Sequence, residues 1–476
     1  MAKSSLWSTI YPETNINMPT HSTPMAQPDK LLLRSSPTED TSPEMGLLLG
    51  HALAMDYHTV VIATDMMKSS TMMKEALVSS LLASGVDVVD IGCTSAPVAG
   101  MSARLGDCCV YISEYREYGL ISGYLLLNPD GGLFRKDQIR HLDKVFTDSK
   151  PMPDCKNIGS IRKINTAVEE YNVKLRSTLV ERTASPIIVD CNCGTSAESA
   201  PQILNALGAD VLSINAQRDL NYRSRSPSPD SDLHDLKTLL EGENGYIGVS
   251  INLIGTLMTV LDEKGRVITP EQVLALIIAY LKPQHVVVPN DVTSLIDDVF
   301  YGRIDLGMDT PFQREEGSES SIIKVAPDAG MVCEAISENN ADLGYFNGGY
   351  MFNNISVMAD AIQATAILAQ LSGNNSINRL LDSIPTYHSD RRRLRYQCTP
   401  EQFSRMMEEN LPVLRCDNVS RDYGWRFDFD EGWTLIRFAK DSDDEIEIVS
   451  ESTDRAFLIG LMEVASDLVE SCLMGQ

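Results

Sequence analysis

The chain is poor in positive charge. It has 40 lysine and arginine residues against 66 aspartate and glutamate residues, and its formal net charge is −26. A negative surplus of this size disfavours binding to nucleic acid and to anionic membrane surfaces, because both repel an acidic protein. It also disfavours binding of anionic small molecules, unless positive charge is concentrated in a local cleft. A solvated acidic surface that aids solubility is the simpler interpretation.

Long apolar runs and paired cysteines are also missing. No apolar run approaches the roughly 20 residues of a membrane span, and the amino terminus lacks the basic start and apolar block of a secretory signal. We therefore expect a cytoplasmic protein without a membrane partner. The ten cysteines include no CxxC pair, and Cys191 and Cys193 form an isolated CxC. Zinc binding there is the weaker alternative to buried free thiols in a reducing compartment.

The length of 476 residues is too great for one hydrophobic core, and typical domain sizes suggest about three or four domains. Residues 1–43 are rich in Ser, Thr, Pro and Met, lack periodicity and predict a disordered lead-in. Beyond them, short apolar strands alternate with helical segments, which is typical of parallel-sheet units. We predict the α/β fold class, with three related mixed or parallel-sheet α/β domains and a carboxyl-terminal α+β domain. The predicted domains are residues 44–150, 151–283, 284–374 and 375–476.

Four local patterns give predictions that a structure can test. Thr59 to Thr64 reads TVVIAT and predicts a buried strand, and Ser69 or Ser70 is a candidate cap of the helix that follows. A long helix is expected from Val357 to Leu371. Trp425 to Phe438 alternates like a hairpin that turns at residues 430–432.

One basic run stands out in this acidic chain. Arg391, Arg392, Arg393 and Arg395 lie within five positions of one another. A phosphate-binding or nucleic-acid-binding patch is one interpretation. An exposed connecting strand that pairs with the acidic surface is the interpretation we favour.

The stretch from Cys108 to Gly132, CCVYISEYREYGLISGYLLLNPDGG, organises the first domain. Val110 to Ser113 predicts a buried strand, and Tyr124 to Leu127 predicts a second. The Asn128–Gly132 segment is a strong turn signal, because proline presets one backbone angle and glycine permits positive ones. In a doubly wound sheet, ligands bind in the loops after the carboxyl ends of strands. The polar loop between the two strands is therefore the first candidate site.

This stretch closely resembles the phosphohexomutases, the superfamily of phosphomannomutase, phosphoglucomutase and phosphoglucosamine mutase. Members typically read I-T-A-S-H-N-P-x-x-x-N-G-I-K-x-x-N-P-D-G-G. This chain matches the length of that motif from Ile112 to Gly132 without a gap and keeps Ile112, Gly123 and Asn128–Gly132. In the family the serine carries a phosphoryl group that passes to and from the sugar. Here Tyr115 stands at the serine position and Arg116 at the neighbouring histidine. A longer phenolic side chain would misplace the phosphoryl group, and Ser113 and Ser122 are poor substitutes.

The resemblance extends to a metal loop, which the family writes G-x-x-F-D-G-D-A-D-R and which holds magnesium through three aspartates. Residues 248–257 here read GVSINLIGTL, and LDEKG at 261–265 fixes the register. Asn252, Ile254 and Thr256 stand at the three ligand positions. The resemblance therefore implies that hard-cation binding is lost, and we expect no metal and no cofactor.

Two further loops of the family bind the sugar and its second phosphate. The sugar loop, G-E-E-S-G-H, corresponds to residues 344–349, where Tyr345, Phe346 and Asn347 follow the first glycine. Stacking of the aromatic rings on a sugar is one interpretation, and packing against a neighbouring domain is the one we favour. The phosphate loop, R-P-S-G-T-E-P-K, corresponds to residues 437–445. Arg437 and Lys440 remain, but the acidic residues that follow Lys440 would repel a phosphate dianion.

The resemblance covers roughly residues 43–472, keeps the scaffold motifs and departs at all four functional loops. It implies a catalytically silent homologue rather than an enzyme. We expect a regulatory or scaffold subunit that forms a homodimer, or a heterodimer with an active paralogue, through the first domain, as family members often do. One alternative is a sugar-phosphate sensor that uses a rebuilt cleft at Tyr115, Arg116, Tyr345 and Asn347. The other is an active phosphomannomutase or phosphoglucosamine mutase with atypical residues.

Overall fold

The described residues fold around four separate β-sheets that follow one another along the sequence. Three are mixed sheets with flanking helices and the last is antiparallel, so the predicted class, α/β units followed by an α+β unit, is confirmed. The computed structural model describes residues 33–34, 43–115, 121–145, 157–180, 185–219, 233–242, 245–314, 317, 319–396, 398–411, 416–439 and 444–474. The predicted lead-in at 1–43 lies almost entirely outside them.

The first sheet has six strands, in the order β1-β5-β4-β2-β3-β6. The strand formed by Thr59–Thr64 pairs in parallel with both of its neighbours, and its apolar residues are buried, as the TVVIAT pattern predicted. The strands are β1 (Leu33–Arg34), β2 (Thr59–Thr64), β3 (Asp87–Cys93), β4 (Cys108–Tyr115), β5 (Ile121–Leu127) and β6 (Ile161–Lys163). The helices are α1 (Pro43–Leu53), α2 (Lys68–Ala83), α3 (Ala96–Ser102) and α4 (Lys136–Val145).

The predicted cap of α2 is wrong. The capping position is Met67, which offers no side-chain hydrogen bond, so Ser69 and Ser70 lie inside the helix. The carboxylate of Asp65 instead holds the turn that leads into the helix, because its Oδ1 accepts the amide of Met67 at 2.9 Å. The chain therefore turns into α2 around a buried aspartate rather than around a serine.

The second sheet has five strands, in the order β11-β10-β9-β7-β8. Its strands are β7 (Ile187–Asp190), β8 (Val211–Ile214), β9 (Ile247–Ile251), β10 (Met258–Leu261) and β11 (Val267–Ile268). Its helices are α5 (Ala167–Thr178), α6 (Ala200–Ala206), α7 (His234–Gly242) and α8 (Pro270–Leu281). The turn from β10 to β11 is closed by Asp262, whose Oδ1 accepts the amides of Lys264 and Arg266.

The third sheet also has five strands, in the order β13-β12-β14-β15-β16. Its strands are β12 (His285–Pro289), β13 (Ser321–Val325), β14 (Leu343–Phe346), β15 (Gly349–Phe352) and β16 (Ser356–Ala359). Its helices are α9 (Ser294–Phe300), α10 (Ala329–Asn339) and α11 (Ala361–Ser372), and α12 (Ile377–Asp382) follows.

The predicted helix from Val357 to Leu371 begins too early. Val357 belongs to β16, which pairs antiparallel with β15. The helix starts only at Ala361, because the carboxylate of Asp360 accepts the amide of Gln363 at 2.8 Å and caps α11. Strand pairing overrides local helix propensity at this boundary.

The fourth sheet is antiparallel, in the order β17-β21-β20-β19-β18. Its strands are β17 (His388–Arg395), β18 (Asn418–Ser420), β19 (Trp425–Phe429), β20 (Gly432–Phe438) and β21 (Glu445–Ser452). Two helices, α13 (Pro400–Asn410) and α14 (Arg455–Met474), complete the unit. The predicted hairpin of β19 and β20 is confirmed. The predicted domain boundaries stay predictions, although β6 joins the first sheet from beyond residue 150.

The first three units share one apolar core, which includes Ala99, Ile251 and Ile362. The Asn128–Gly132 turn lies against the third unit, because Asp130 accepts hydrogen bonds from the Ser337 hydroxyl at 2.6 Å and the Val357 amide at 3.2 Å. The fourth unit has its own aromatic core against α13 and α14. Among the described residues, no helix is long and apolar enough to cross a membrane.

Candidate functional site

The first candidate position lies at the end of β4. The backbone of Tyr115 pairs with Ile121, but the side chain of Tyr115 and all of Arg116 lie outside the described residues. Ser113, two positions earlier, is fully buried and donates its hydroxyl hydrogen bond to Asp65 Oδ2 at 2.9 Å. Ser113 therefore braces the turn into α2 and does not face solvent.

The second candidate position is the loop from Asn252 to Thr256, between β9 and β10. The side chain of Asn252 closes this loop on itself. Its Oδ1 accepts the amides of Thr256 at 2.8 Å and Leu257 at 3.2 Å, and its Nδ2 donates to the Thr256 hydroxyl at 3.0 Å. Two of the three residues that correspond to the family's metal ligands, Asn252 and Thr256, are thus hydrogen-bonded to each other.

Three consecutive carbonyls of this loop accept hydrogen bonds from three separate parts of the chain. Leu253 O accepts the amide of Thr195 at 2.9 Å. Ile254 O accepts the amide of Ala96 at 2.9 Å, and Gly255 O accepts the amide of Ala361 at 3.0 Å. Ala96 and Ala361 are the first residues of α3 and α11, whose initial amides lack partners within their own helices. The loop therefore joins the first, second and third units.

Ile254 occupies the centre of this junction. Its side chain is 7% exposed and belongs to the apolar core that the first three units share. Gly255, beside it, has φ of +81° and lies close to Ser95 and Ile362. An apolar side chain, that of Ile254, thus stands at the middle one of the three positions that correspond to the family's metal ligands.

The loop does not fit a magnesium ion. Magnesium prefers oxygen ligands in an octahedral arrangement and is usually held by carboxylates and water. Residues 252–257 contain no carboxylate, and the amide oxygen of Asn252 is already hydrogen-bonded twice. Throughout the described part of the chain, no group of three or more His, Cys, Asp and Glu side chains is placed to hold a metal ion. Cys191 and Cys193 are both buried free thiols.

The third candidate position is the turn between β14 and β15. Tyr345 is 3% exposed and donates its hydroxyl hydrogen bond to Glu271 of α8 at 2.8 Å. Burial and the nearby Glu271 raise the pKa of Tyr345 well above its usual value. Phe346 is also buried, whereas Asn347 is exposed at the turn with φ of +45°. Tyr345 therefore contacts the second unit, and neither aromatic side chain presents its ring to solvent.

The fourth candidate position begins at the end of β20. Arg437 is 5% exposed, and its Nε and Nη2 donate to Glu447 Oε2 at 2.8 and 2.6 Å. Nη2 also donates to Asp291 of the third unit at 2.8 Å. Burial alone would lower the pKa of Arg437, but Asp291 and Glu447 outweigh burial and raise it. The guanidinium is thus neutralised within the protein, and Lys440 lies outside the described residues.

The structure keeps the candidate positions on separate units and joins the 252–256 loop, Tyr345 and Arg437 to partners that are distant in sequence. Sequence reasoning missed two of those partners, Glu271 and Asp291, and it also missed Asp360. Asp360 accepts the hydroxyl of Tyr171 at 2.7 Å and so ties α11 to α5. No local signal marks these residues, because an acidic side chain next to a strand or helix end usually faces water.

Comparison with known proteins gives consistent results along the chain. A family model described as phosphoglucomutase/phosphomannomutase, alpha/beta/alpha domain I, matches residues 33–151. A protein of Methanococcoides burtonii that carries the name probable phosphoglucosamine mutase is 27% identical over 449 residues, which is 93% of this chain and 98% of the relative. The phosphoglucomutase/phosphomannomutase of Thermococcus kodakarensis is 23% identical over 464 residues, covering 93% of this chain and 98% of that protein.

Solved structures share the fold. A phosphoglucomutase/phosphomannomutase family protein of Burkholderia thailandensis superposes with a TM-score of 0.75 at 18% identity, covering 95% of this chain and 99% of the other. The phosphoglucomutase parafusin of Paramecium, in its open form, gives a TM-score of 0.67 at 13% identity over 95% of this chain and 96% of the other. The domain I match, the relatives aligned over nearly their whole length and the common four-unit architecture agree with the sequence motifs. Residues 33–151 match domain I of this family, and the chain resembles the phosphohexomutases over nearly its whole length.

Proposed function

We propose that this protein is a catalytically silent phosphohexomutase-like subunit that acts through binding to other proteins, as a regulator or scaffold. The observation that carries the proposal is the Asn252–Thr256 loop. The three positions that correspond to the family's metal ligands hold a hydrogen-bonded Asn–Thr pair and a buried isoleucine. The backbone carbonyls of the loop accept hydrogen bonds from helix amides of two other units. A divalent ion would have to displace contacts that join three units.

The neutralised Arg437 supports the same proposal. Binding of a phosphate dianion requires an accessible cationic group whose charge is not already balanced by carboxylates. Arg437 instead forms ion pairs with Glu447 at 2.6 Å and Asp291 at 2.8 Å. A phosphate that replaced these contacts would leave two carboxylates of low exposure without their principal cation, which is costly in a poorly solvated site.

The proposal departs from the activity in the names of the relatives. Those names describe mutases, and a mutase needs a phosphoryl carrier and a cation that neutralises developing charge. At the first position this chain has Tyr115, and at the second it has no acidic side chain. The kept scaffold and the replaced chemical groups together favour a binding role.

Turnover measurements test catalytic silence. The purified full-length protein is offered glucose, mannose and glucosamine phosphates with magnesium and the matching bisphosphate, beside a relative named as a phosphoglucosamine mutase. We expect no turnover above the blank in the folded protein. Turnover that Tyr115→Phe abolishes would overturn the proposal and make Tyr115 the phosphoryl carrier.

Native copurification tests the binding role. We expect a homodimer, or a heterodimer with an active paralogue, formed through the first unit, and we expect it in the cytoplasm. A monomer that captures no partner from native lysate contradicts this part of the proposal. Burial of Tyr345 and Phe346 argues against the alternative of a sugar-phosphate sensor. A thermal shift with a panel of sugar phosphates would revive that alternative.

A further inference from the structure

The basic run of the sequence lies on an outer strand of the fourth sheet. Strand β17 pairs antiparallel with β21 over all eight of its residues, from His388 to Arg395. Within the described ranges, no strand lies along its other edge. An unpaired strand edge offers a row of backbone donors and acceptors to an added strand.

Three of the four arginines share one face of the sheet. Arg391, Arg393 and Arg395 stand opposite Val449, Glu447 and Glu445 of β21, and alternate residues of a strand point to the same side. Arg437 stands opposite Glu447 as well, from β20 on the other side, and so extends this basic face. Arg392 lies on the opposite face, where its Nη1 is 3.4 Å from the Ser466 hydroxyl of α14.

Among the described residues, positive groups outnumber negative ones on this face. Glu447 pairs with Arg391, Arg393 and Arg437 at 3.1, 3.4 and 2.6 Å. Glu445 pairs with Arg393 and Arg395 at 3.7 and 3.6 Å, and Asp291 with Arg391 and Arg437 at 3.5 and 2.8 Å. In the part of the chain that the structure describes, four guanidinium groups therefore share these three carboxylates.

The basic groups also reach solvent more than their acidic partners do. The side chains of Arg391, Arg393 and Arg395 are 52%, 40% and 81% exposed, whereas those of Glu447 and Glu445 are 3% and 21% exposed. Nη1 of Arg437 is buried and has no hydrogen-bond partner among the described residues. The face that meets solvent is thus a stripe of positive charge on an acidic protein.

The backbone edge and the arginine stripe coincide. The backbone amide of Tyr396 donates to Asp444 O, so this amide points toward β21. Inward and outward residues alternate in an antiparallel strand, so Arg391 and Arg395 direct their amides outward. The amide of Arg391 indeed donates to its neighbour's side chain, Asp390 Oδ1, at 2.8 Å rather than to β21. An added strand would therefore meet guanidinium groups and outward backbone groups together, and at Arg391 it would replace the Asp390 carboxylate that now accepts the amide.

We propose that β17 is the docking edge for an extended acidic segment of a partner protein, which adds to the fourth sheet as a further strand. This inference rests on the binding role in the proposed function and adds a second docking surface, on the fourth unit, to the contact expected through the first unit. The stripe from Arg391 to Arg395 spans about 13 Å of extended chain, longer than a single phosphate group. Outward carbonyls need amide donors, which a peptide supplies and an anion does not. A second copy of the chain would bring arginine against arginine, and nucleic acid has no peptide amides to donate to the outward carbonyls of the strand.

A fluorescent peptide tests the proposal on the full-length protein. The probe alternates glutamate and valine over ten residues, and its neutral match replaces each glutamate with glutamine. Fluorescence anisotropy at low salt is expected to show binding of the acidic peptide at least about tenfold tighter than that of the neutral one, with affinity falling as salt screens the charges. A peptide methylated at alternate backbone amides is expected to lose binding, because it cannot form the ladder.

Matched variants locate the site. Combined Arg391→Gln, Arg393→Gln and Arg395→Gln substitutions are expected to weaken binding at least about tenfold, and Arg392→Gln, on the opposite face, to leave it unchanged. Thermal unfolding by circular dichroism checks that each variant is folded. If the triple variant is unfolded, the single Arg395→Gln variant, at the most exposed position, is expected to weaken binding about twofold to fivefold.

Several results would overturn the inference. They are no preference for the acidic peptide, full binding by the triple variant or by the methylated peptide, an equal loss in Arg392→Gln, and tighter binding of a DNA oligonucleotide or of inorganic phosphate. The turnover assay on the same preparation separates this inference from the proposed function. Turnover would overturn catalytic silence and leave peptide binding intact, whereas absence of peptide binding would leave silence intact.

Discussion

Replacement of Ile254 by aspartate is expected to destabilise the fold and not to create a metal site. Ile254 stands at the middle of the three predicted ligand positions, yet it is 7% exposed within the core of the first three units. Loss of a buried isoleucine side chain costs about 2–5 kcal/mol. Burial of a polar group without partners adds about 1–3 kcal/mol. We therefore expect a loss of at least about 3 kcal/mol, a large part of the 5–15 kcal/mol typical of folded proteins.

Two variants provide controls for this prediction. Ile254→Val removes one methyl group and is expected to cost about 0.5–1.5 kcal/mol. Asn347→Asp also introduces a carboxylate at a position of the resembled site, but in an exposed turn, so its effect is expected to stay within about 0.5 kcal/mol. Urea unfolding followed by circular dichroism, with and without excess magnesium, measures all three.

Either of two results would refute this reasoning. If Ile254→Asp unfolds at the wild-type urea midpoint, Ile254 is not a core contact. If magnesium restores the stability that this variant loses, the loop is an open cation site that needs only a carboxylate. Either result would also weaken the proposal of catalytic silence, because that proposal rests on the same loop.

Three further predictions concern pH, metal and the contact between units. Burial raises the pKa of Asp360 to about 6 from 3.8, so the contribution of this carboxyl to stability is full below about pH 4 and is lost as the pH rises through about 6, by about 3 kcal/mol. Asp360→Asn should remove that part of the pH dependence in urea unfolding, and a slope unchanged from wild type would contradict the assignment. Excess magnesium or EDTA should leave the melting temperature unchanged, whereas a cation bound at 100 times its dissociation constant would add about 2.7 kcal/mol; a rise with magnesium would indicate a site. Asp291→Asn should cost about 1.5–3 kcal/mol, because one charge-assisted hydrogen bond to Arg437 is lost. It should also speed hydrogen exchange in β20 and β21, whereas equal exchange would mean that this ion pair does not hold the fourth unit to the third.

Local patterns in the sequence determined much of the fold. The apolar run at 59–64 became a buried parallel strand, and the alternation from Trp425 to Phe438 became a hairpin. The Asn128–Gly132 turn formed because Pro129 and the two glycines suit its backbone angles, including φ of +86° at Gly131. Such features depend on residues within a few positions of one another, so one sequence is enough to predict them.

Only the tertiary structure decided how the candidate positions are used. Helix α11 begins after residue 360 because residues 356–359 pair with β15, and neither fact is visible in the local propensity of that segment. The sequence placed Ile254 and Arg437 at their loop positions but could not say what each contacts. Ile254 O meets the amide of Ala96, and Arg437 meets Asp291. These contacts join residues far apart in the chain, and packing of whole units, not local preference, brings them together.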